Sequence, residues 1–418
     1  MDMFTRSSHA FLSQATIYEV NLRQYSTEGN IRAFMSHLPR LKDMGVDVIW
    51  LMPIHPIGKI NRKGSLGSYY SISDYQEINP EYGNLEDFKA LVSLVHDLGM
   101  KIIIDWVANH AAWDNVWTQE NPSFFCRDAS GQFQSPYDWS DVIQIDHSNP
   151  DAHQALIDAM CFWVDNYDID GFRADLAHLT PLHYWKNART QTEKIKPGLI
   201  WLAETEESSY YDAFDVVYAW KWMHASEDYV KKGKNLESLI NDLKIQNEPY
   251  PKDLFQLYFT SNHDENSWNG TEYEKYEKFA EAFAVFSFFY ASSVPLIYSG
   301  QEIPVRKRIA FFDKDNLDWD RTEKQLFYKT LCTSRKKVCS SAQFQFLETK
   351  GKILAMKRGV DKNHVLVFMN LGNAVEVYQY DLPEPLIYRD IMLDETYAES
   401  ISLSLKLNPG EFLVLENA

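Results

Sequence analysis

Short, unbroken apolar runs alternate along most of the chain with longer stretches whose apolar residues return every third or fourth position. Such runs read as buried strands, and the 3.6-residue period reads as amphipathic helix. Positions 16–23 predict the first strand. Helical spacing over 30–44 follows and stops at Gly45, a residue suited to the left-handed turn past a helix end. A second strand is predicted over 46–52, broken by Pro53 and Pro56. Helix 85–98 closes at Gly99, and the third strand follows it. The rhythm continues through helix 150–167, strand 169–175, helix 181–192 and the runs 199–204 and 214–219. Helix 228–243, the strand-like run 254–264, helix 272–291, strand 295–298 and helix 321–338 complete it. Strand then helix, repeated, implies a parallel sheet.

Two stretches break the rhythm. Loop 57–68 is rich in Gly, Lys and Ser and runs into Tyr69 and Tyr70. The span 111–147 holds Trp113, Trp117, Phe124, Phe125 and Trp139 among Pro and Gly residues, and a loop of that length is usually functional. Beyond about 340 the period changes to two. Runs at 353–357, 365–369, 375–380 and 411–415 predict short antiparallel strands packed as a sandwich.

Four of the apolar runs end on acids or histidine: Asp105 with Asn109 and His110, Arg173 with Asp175, Glu204, and Asn262-His263-Asp264. Strand residues two apart share a face, so Arg173 and Asp175 point the same way. A guanidinium there is expected to hold the carboxylate ionised. An ionised carboxylate at a strand tip suits a covalent nucleophile. A structural Arg–Asp pair explains the same two residues if they are taken alone. In a (β/α)₈ barrel all four strand ends would meet on one face.

These four stretches, in this order, resemble the signature regions of the α-amylase superfamily of retaining glycoside hydrolases. The resemblance implies a (β/α)₈ barrel over 1–110 and 148–340. It also implies a short inserted domain at 111–147 after the third strand, and a C-terminal β-sandwich domain over 341–418. Asp175 would be the nucleophile and Glu204 the acid/base, its pKa raised by the apolar run Trp201-Leu202-Ala203. Asp264 would distort the bound sugar and stabilise the transition state. Tyr70 would stack on the sugar, while His110 and His263, both neutral, would bond its hydroxyls. Arg173 would complete the set, with Asp105 bracing it. The implied reaction is hydrolysis of α-1,4-linked glucans or maltooligosaccharides through a covalent glycosyl–Asp intermediate. Transglycosylation, α-1,6-glucosidase action and a non-catalytic glycan-binding role are the alternatives. The chemistry requires no cofactor. Asn109 and Asp146 match calcium-ligand positions of relatives, although calcium needs six or more oxygens.

One departure stands out. Many α-amylases carry a Lys-His pair three and four residues past the nucleophile, where this chain has His178 and Leu179. That pair serves the leaving-group side, so contacts there are expected to differ. His183 and His224 read as surface positions on helices.

Bulk properties narrow the partners. A net charge of −18 excludes nucleic acid and anionic membranes as partners, and no basic stripe offsets it. With 12 Trp, 24 Tyr and 24 Phe in 418 residues, aromatic side chains suffice for a large core and for sugar-stacking surfaces. Cys126, Cys161, Cys332 and Cys339 lack metal-ligand spacing and read as reduced thiols. No apolar run reaches membrane-spanning length, and residues 1–14 lack a signal-peptide core. A cytoplasmic enzyme is the expectation, with a periplasmic or secreted one if a signal has been removed. Oligomeric state is not legible.

Overall fold

The computed structural model describes residues 9–247, 254–339, 343–361 and 363–417. The strands in chain order are β1 (Ile17–Val20), β2 (Val48–Leu51), β3 (Lys101–Trp106), β4 (His110–Ala112), β5 (Val142–Gln144) and β6 (Gly171–Ala174). Then come β7 (Ile200–Ala203), β8 (Val216–Tyr218), β9 (Phe255–Tyr258) and β10 (Ser293–Tyr298). The C-terminal strands are β11 (Phe344–Phe346), β12 (Ile353–Val360), β13 (Asn363–Asn370), β14 (Glu376–Asp390), β15 (Glu395–Leu407) and β16 (Phe412–Asn417).

Eight parallel strands close in the order β1-β10-β9-β8-β7-β6-β3-β2, so the expected barrel is present. Both faces of its strands are covered, which is why they read as unbroken apolar runs. One set of residues fills the interior: Ile17, Val48, Ile103, Ile200, Val216, Leu257 and Val294. Their neighbours Tyr18, Ile49, Ile102, Phe172, Trp201 and Val217 pack outward under the helices. Two residues further along the inward faces, Ile17 gives way to Glu19, Ile103 to Asp105 and Gly171 to Arg173. The same period-two alternation that builds the core thus lays a charged layer at the C-terminal mouth.

Three predicted helices are split. Positions 30–44 form Ile31–Met35 and Leu38–Met44, with Pro39 in the first turn of the second, where its missing N–H costs nothing. Positions 228–243 fall on Trp220–Lys232 and Leu236–Asn247, divided at Gly233 in the left-handed region. Positions 272–291 divide at Glu277, whose φ is +53°. Helix Pro150–Tyr167 is as predicted.

The insertion is pinned at its base by β4 and β5, paired antiparallel with His110 opposite Gln144. The expected boundary at 340/341 lies outside the described residues. After it, β11–β16 form one antiparallel sheet in the order β11-β12-β13-β16-β14-β15. Register shifts within β14 bend it. Phe368 of β13 and Tyr378 of β14 then meet ring to ring at 5.1 Å, although their strands are not paired neighbours. One face of this sheet, including Met356, Val367 and Met369, joins the apolar cluster under the barrel helices. The other face packs on itself. Among the described residues no helix is long and apolar enough to cross a membrane. All four cysteines are unbridged.

Candidate active site

The strand ends converge as the alternation requires. Asp175 directly follows β6, Glu204 directly follows β7, and Asp264 lies in the turn beyond β9. Together with Tyr70 and His110 they line a cavity of about 290 Å³ at the barrel mouth. Arg173 and His263 lie beneath it, both buried.

Arg173 is the hub. One guanidinium nitrogen lies 2.9 and 3.1 Å from the two Asp105 oxygens and 3.0 Å from Asp175 Oδ1. The other terminal nitrogen is 2.9 Å from Glu204 Oε2, and Nε donates to Tyr218 Oη at 3.2 Å. Asp105 also accepts from Trp50 Nε1 at 3.2 Å and from Tyr70 Oη at 3.3 Å. It therefore braces the arginine from below the cavity. Glu204 Oε2 takes a further bond from the Leu176 N–H at 2.8 Å. Leu176, with φ at +40°, sits in left-handed backbone between the two acids. For a branched side chain that conformation is costly and is held by its surroundings, a frequent mark of functional sites.

The surroundings of Glu204 differ from those the sequence suggested. Its carboxyl meets a guanidinium and a backbone N–H, while the apolar side chains before it belong to the strand below. Asp175 differs too. Burial pushes its carboxyl well above the usual range, and Glu204, Asp105 and Asp264 add to this against Arg173. Burial raises Asp105 to about 6, with Arg173 opposing. One guanidinium thus serves three carboxyl groups, and burial opposes ionisation of Asp105 and Asp175.

His263 is the clearest correction. It was expected to be neutral, yet both ring nitrogens face acids. Nδ1 lies 2.5 Å from Glu19 Oε1, and Nε2 lies 3.2 Å from Asp264 Oδ2 and 2.7 Å from Tyr70 Oη. Burial favours the neutral ring, but Asp264 and Glu19 outweigh it and hold His263 well above the ordinary histidine value. Burial also acts against ionised Asp264, where the imidazolium prevails and the net shift is downward. His110, in contrast, is lowered to about 4 by burial, so its ring is neutral near pH 7.

Other residues fall away from the cavity or join it unannounced. His178 is exposed and Leu179 half-buried; neither lines the cavity, whereas Leu176 does. Trp117 is used up stacking on Tyr75 at 5.0 Å, and Trp113 Nε1 bonds the Ser140 carbonyl. Only Trp139 of the three insertion tryptophans reaches the cavity wall. His183 and His224 are exposed on their helices. Glu19 and Tyr218 escaped the sequence reading; a lone acid inside the apolar run Ile17-Tyr18-Glu19-Val20 was the available signal.

Asn109 and Asp146 are both engaged in hydrogen bonds within the chain. Asn109 Oδ1 accepts from Gln144 at 3.2 Å, and its amide nitrogen lies 3.2 Å from His110 Nδ1. Asp146 Oδ1 accepts from the N–H and hydroxyl of Ser148. Among the described residues no three His, Cys, Asp or Glu side chains are grouped to hold a metal ion.

Known proteins share this architecture. Residues 4–345 match the family described as "Alpha amylase, catalytic domain". An alpha-amylase from Lactobacillus plantarum superposes with a TM-score of 0.88 at 31% identity, covering 97% of this chain and 99% of its own. A noncanonic maltogenic alpha-amylase from Thermotoga neapolitana gives 0.88 at 30%, covering 97% and 98%. An intracellular maltogenic amylase of Bacillus subtilis is 26% identical over 93% of this chain and 70% of its own length. With the barrel, the strand-end acids and a family match over most of its length, this chain belongs to the alpha-amylase family and is a glycoside hydrolase acting on α-glucans.

Proposed function

We propose that the protein hydrolyses α-1,4-linked glucans or maltooligosaccharides with retention of anomeric configuration, through a covalent glycosyl–Asp175 intermediate. The observation that carries this reading is the placement of Asp175 and Glu204. In the β6–β7 register Ala174 faces Ala203, so the two acids are the next pair along adjacent strands. Neighbouring strands lie about 4.8 Å apart. Retaining enzymes need their two carboxyl groups at about 5 Å, and inverting ones need more room for a water.

Asp175, oriented by Arg173, attacks the anomeric carbon as the glycosidic bond breaks. Glu204 gives its proton to the departing oxygen and later takes one from the attacking water. Arg173 and the Leu176 N–H hold the Glu204 carboxyl in place beside the departing oxygen. Asp264, kept ionised by His263, faces the positive charge that develops on the sugar ring. Tyr70 supplies the stacking face and His110 a neutral bonding partner for hydroxyls.

Retention is tested by proton NMR of the first product from maltoheptaose. The newly formed reducing end should appear as the α anomer before mutarotation. Trapping with a 5-fluoro glycosyl fluoride should place the label on the peptide containing Asp175. A β product, or label on another peptide, would reject the assignment. Sugar transfer is read in the same experiment as products longer than the substrate.

A further inference from the structure

Loop 57–68 has no part in the chemistry above, yet it is tied down on both sides of the cavity. Toward the insertion, Lys63 Nζ pairs with Asp141 Oδ1 at 2.7 Å, and the Lys59 N–H donates to Asp114 Oδ2 at 2.8 Å. Toward the loop that follows β10, the Leu66 N–H donates to the Phe312 carbonyl at 3.0 Å. Ser65 gives both its N–H and its hydroxyl to Asp313 Oδ1. Gly64 takes φ +63° and lies so close to Phe312 that an added Cβ would stand 2.5 Å from the phenylalanine Cβ. Within the loop, Arg62 holds the Ile57 and Gly58 carbonyls at 2.9 and 2.8 Å. The segment therefore bridges the insertion and the last barrel loop as a fixed strap.

Its position relative to the acids matters. Lys63 and Asp141 share the cavity wall with Tyr70 and His110, and Ser71 Oγ beside Tyr70 donates to the Asp141 carbonyl at 3.0 Å. Phe311 lies nearly parallel to Tyr70, with ring centroids 6.4 Å apart, and Trp268 leans on Phe311 at 5.2 Å. We propose that this strap closes the glycosyl side of the cleft. On this view Lys63, paired with Asp141, determines specificity by setting how much of a glucan is held there, so that short units are released from the non-reducing chain end. The inference rests on the α-glucan reading given above.

Lys63 suits the role. Asp141 is buried, while the lysine side chain is 38% exposed and lines the cavity. An ammonium has three donors, and Asp141 occupies one. The remainder can meet the terminal sugar hydroxyls that only a chain end offers. The pair lies at the cavity wall on a loop and the insertion, outside the barrel core. Removing it should therefore alter the product pattern and leave the barrel intact.

The test compares maltoheptaose with the same sugar blocked at its non-reducing end by a 4,6-O-ethylidene group. Wild type should cleave the blocked sugar at least about tenfold more slowly than the free one. Lys63→Ala and Asp141→Ala should narrow that gap and lengthen the released products, whereas Lys63→Arg should keep the wild-type pattern. Equal wild-type rates on free and blocked sugar would overturn the strap's role. An unchanged ratio and product pattern in Lys63→Ala would overturn the part given to Lys63. Inactivity on both sugars would overturn the underlying α-glucan reading, and with it the strap; activity with the wrong pattern strikes the strap alone.

Discussion

Glu19 Oε1 lies 2.5 Å from His263 Nδ1, deep in the barrel mouth, with both side chains buried. The two residues come from β1 and from the turn beyond β9, on elements far apart in the chain. Their pairing turns a residue that reads as a neutral sugar ligand into a fixed cation beneath Asp264. Arg173, Asp105, Tyr70, Tyr218 and Tyr298 complete the ionisable surroundings of the pair.

Glu19→Gln removes one of the two acids that hold His263 charged. A histidine with a raised folded value keeps its proton, and the associated stability, below its ordinary value and loses both as pH rises through the folded one. The variant's His263 titration, followed by ¹⁵N NMR, should move down toward the ordinary histidine range. The alkaline limb of kcat/KM should move to lower pH with it. A variant with an unaltered histidine titration would show that Glu19 does not set the charge.

Arg173→Met should be the most damaging change in the site. It strips the shared cation from Asp105, Asp175 and Glu204 and leaves their buried charges unpaired. Breaking such a buried pair costs about 3–5 kcal/mol. The deficit should narrow as pH falls toward about 5, because protonation relieves the repulsion. Urea unfolding at two pH values measures it; a deficit that widens in acid would contradict the hub.

The four strand ends were legible because burial on both barrel faces produces unbroken apolar runs, and each run ended on a polar residue. Arg173 and Asp175 could be placed on one face by period two alone. What was not legible is long-range. Nothing local tells that Glu19 meets His263, that Arg173 is shared among three acids, or that Lys63 crosses to Asp141. The helix breaks were missed for a different reason. Pro39 and Gly233 fit an uninterrupted periodic pattern well enough to hide a turn, and Glu277 gives no glycine signal for its left-handed backbone. The expected neutrality of His263 failed because sequence shows the acid next to it and not the acid across the barrel.

The leaving-group side gives a third prediction. Since His178 is exposed and neither it nor Leu179 lines the cavity, replacing them by Lys and His should leave KM for maltotriose within about twofold. Trp139→Ala removes a ring from the cavity wall and should raise KM by about tenfold. The reverse ranking would mean that the short helix after Asp175 reorganises when sugar binds.

Gly171 offers a stability test. Its φ is +149°, and an added Cβ would lie 2.0 Å from the Ile200 carbonyl oxygen of β7. Gly171→Ala should prevent β6 and β7 from closing to register and destabilise the barrel by more than about 4 kcal/mol. Gly131→Ala, at φ +82° with open space around it, should cost only about 1 kcal/mol. Comparable melting temperatures for the two variants would show that the tight approach of β6 to β7 is dispensable.

The C-terminal sheet carries a consequence for anyone who would trim the chain. Helix Ala280–Phe289 is buried on nearly every side. Tyr290, just past its end, packs against Phe344 at 5.0 Å, and Tyr229 bonds the Leu371 carbonyl at 2.7 Å. Met356, Val367 and Val414 belong to the same apolar cluster as the barrel helices. A polypeptide ending near residue 345 would keep every acid of the site and still bare a broad greasy flank. On the ribosome the barrel is complete in sequence well before its cover has been made. The nascent protein must therefore wait, with that flank shielded by chaperones or left to aggregate, until its last strands emerge.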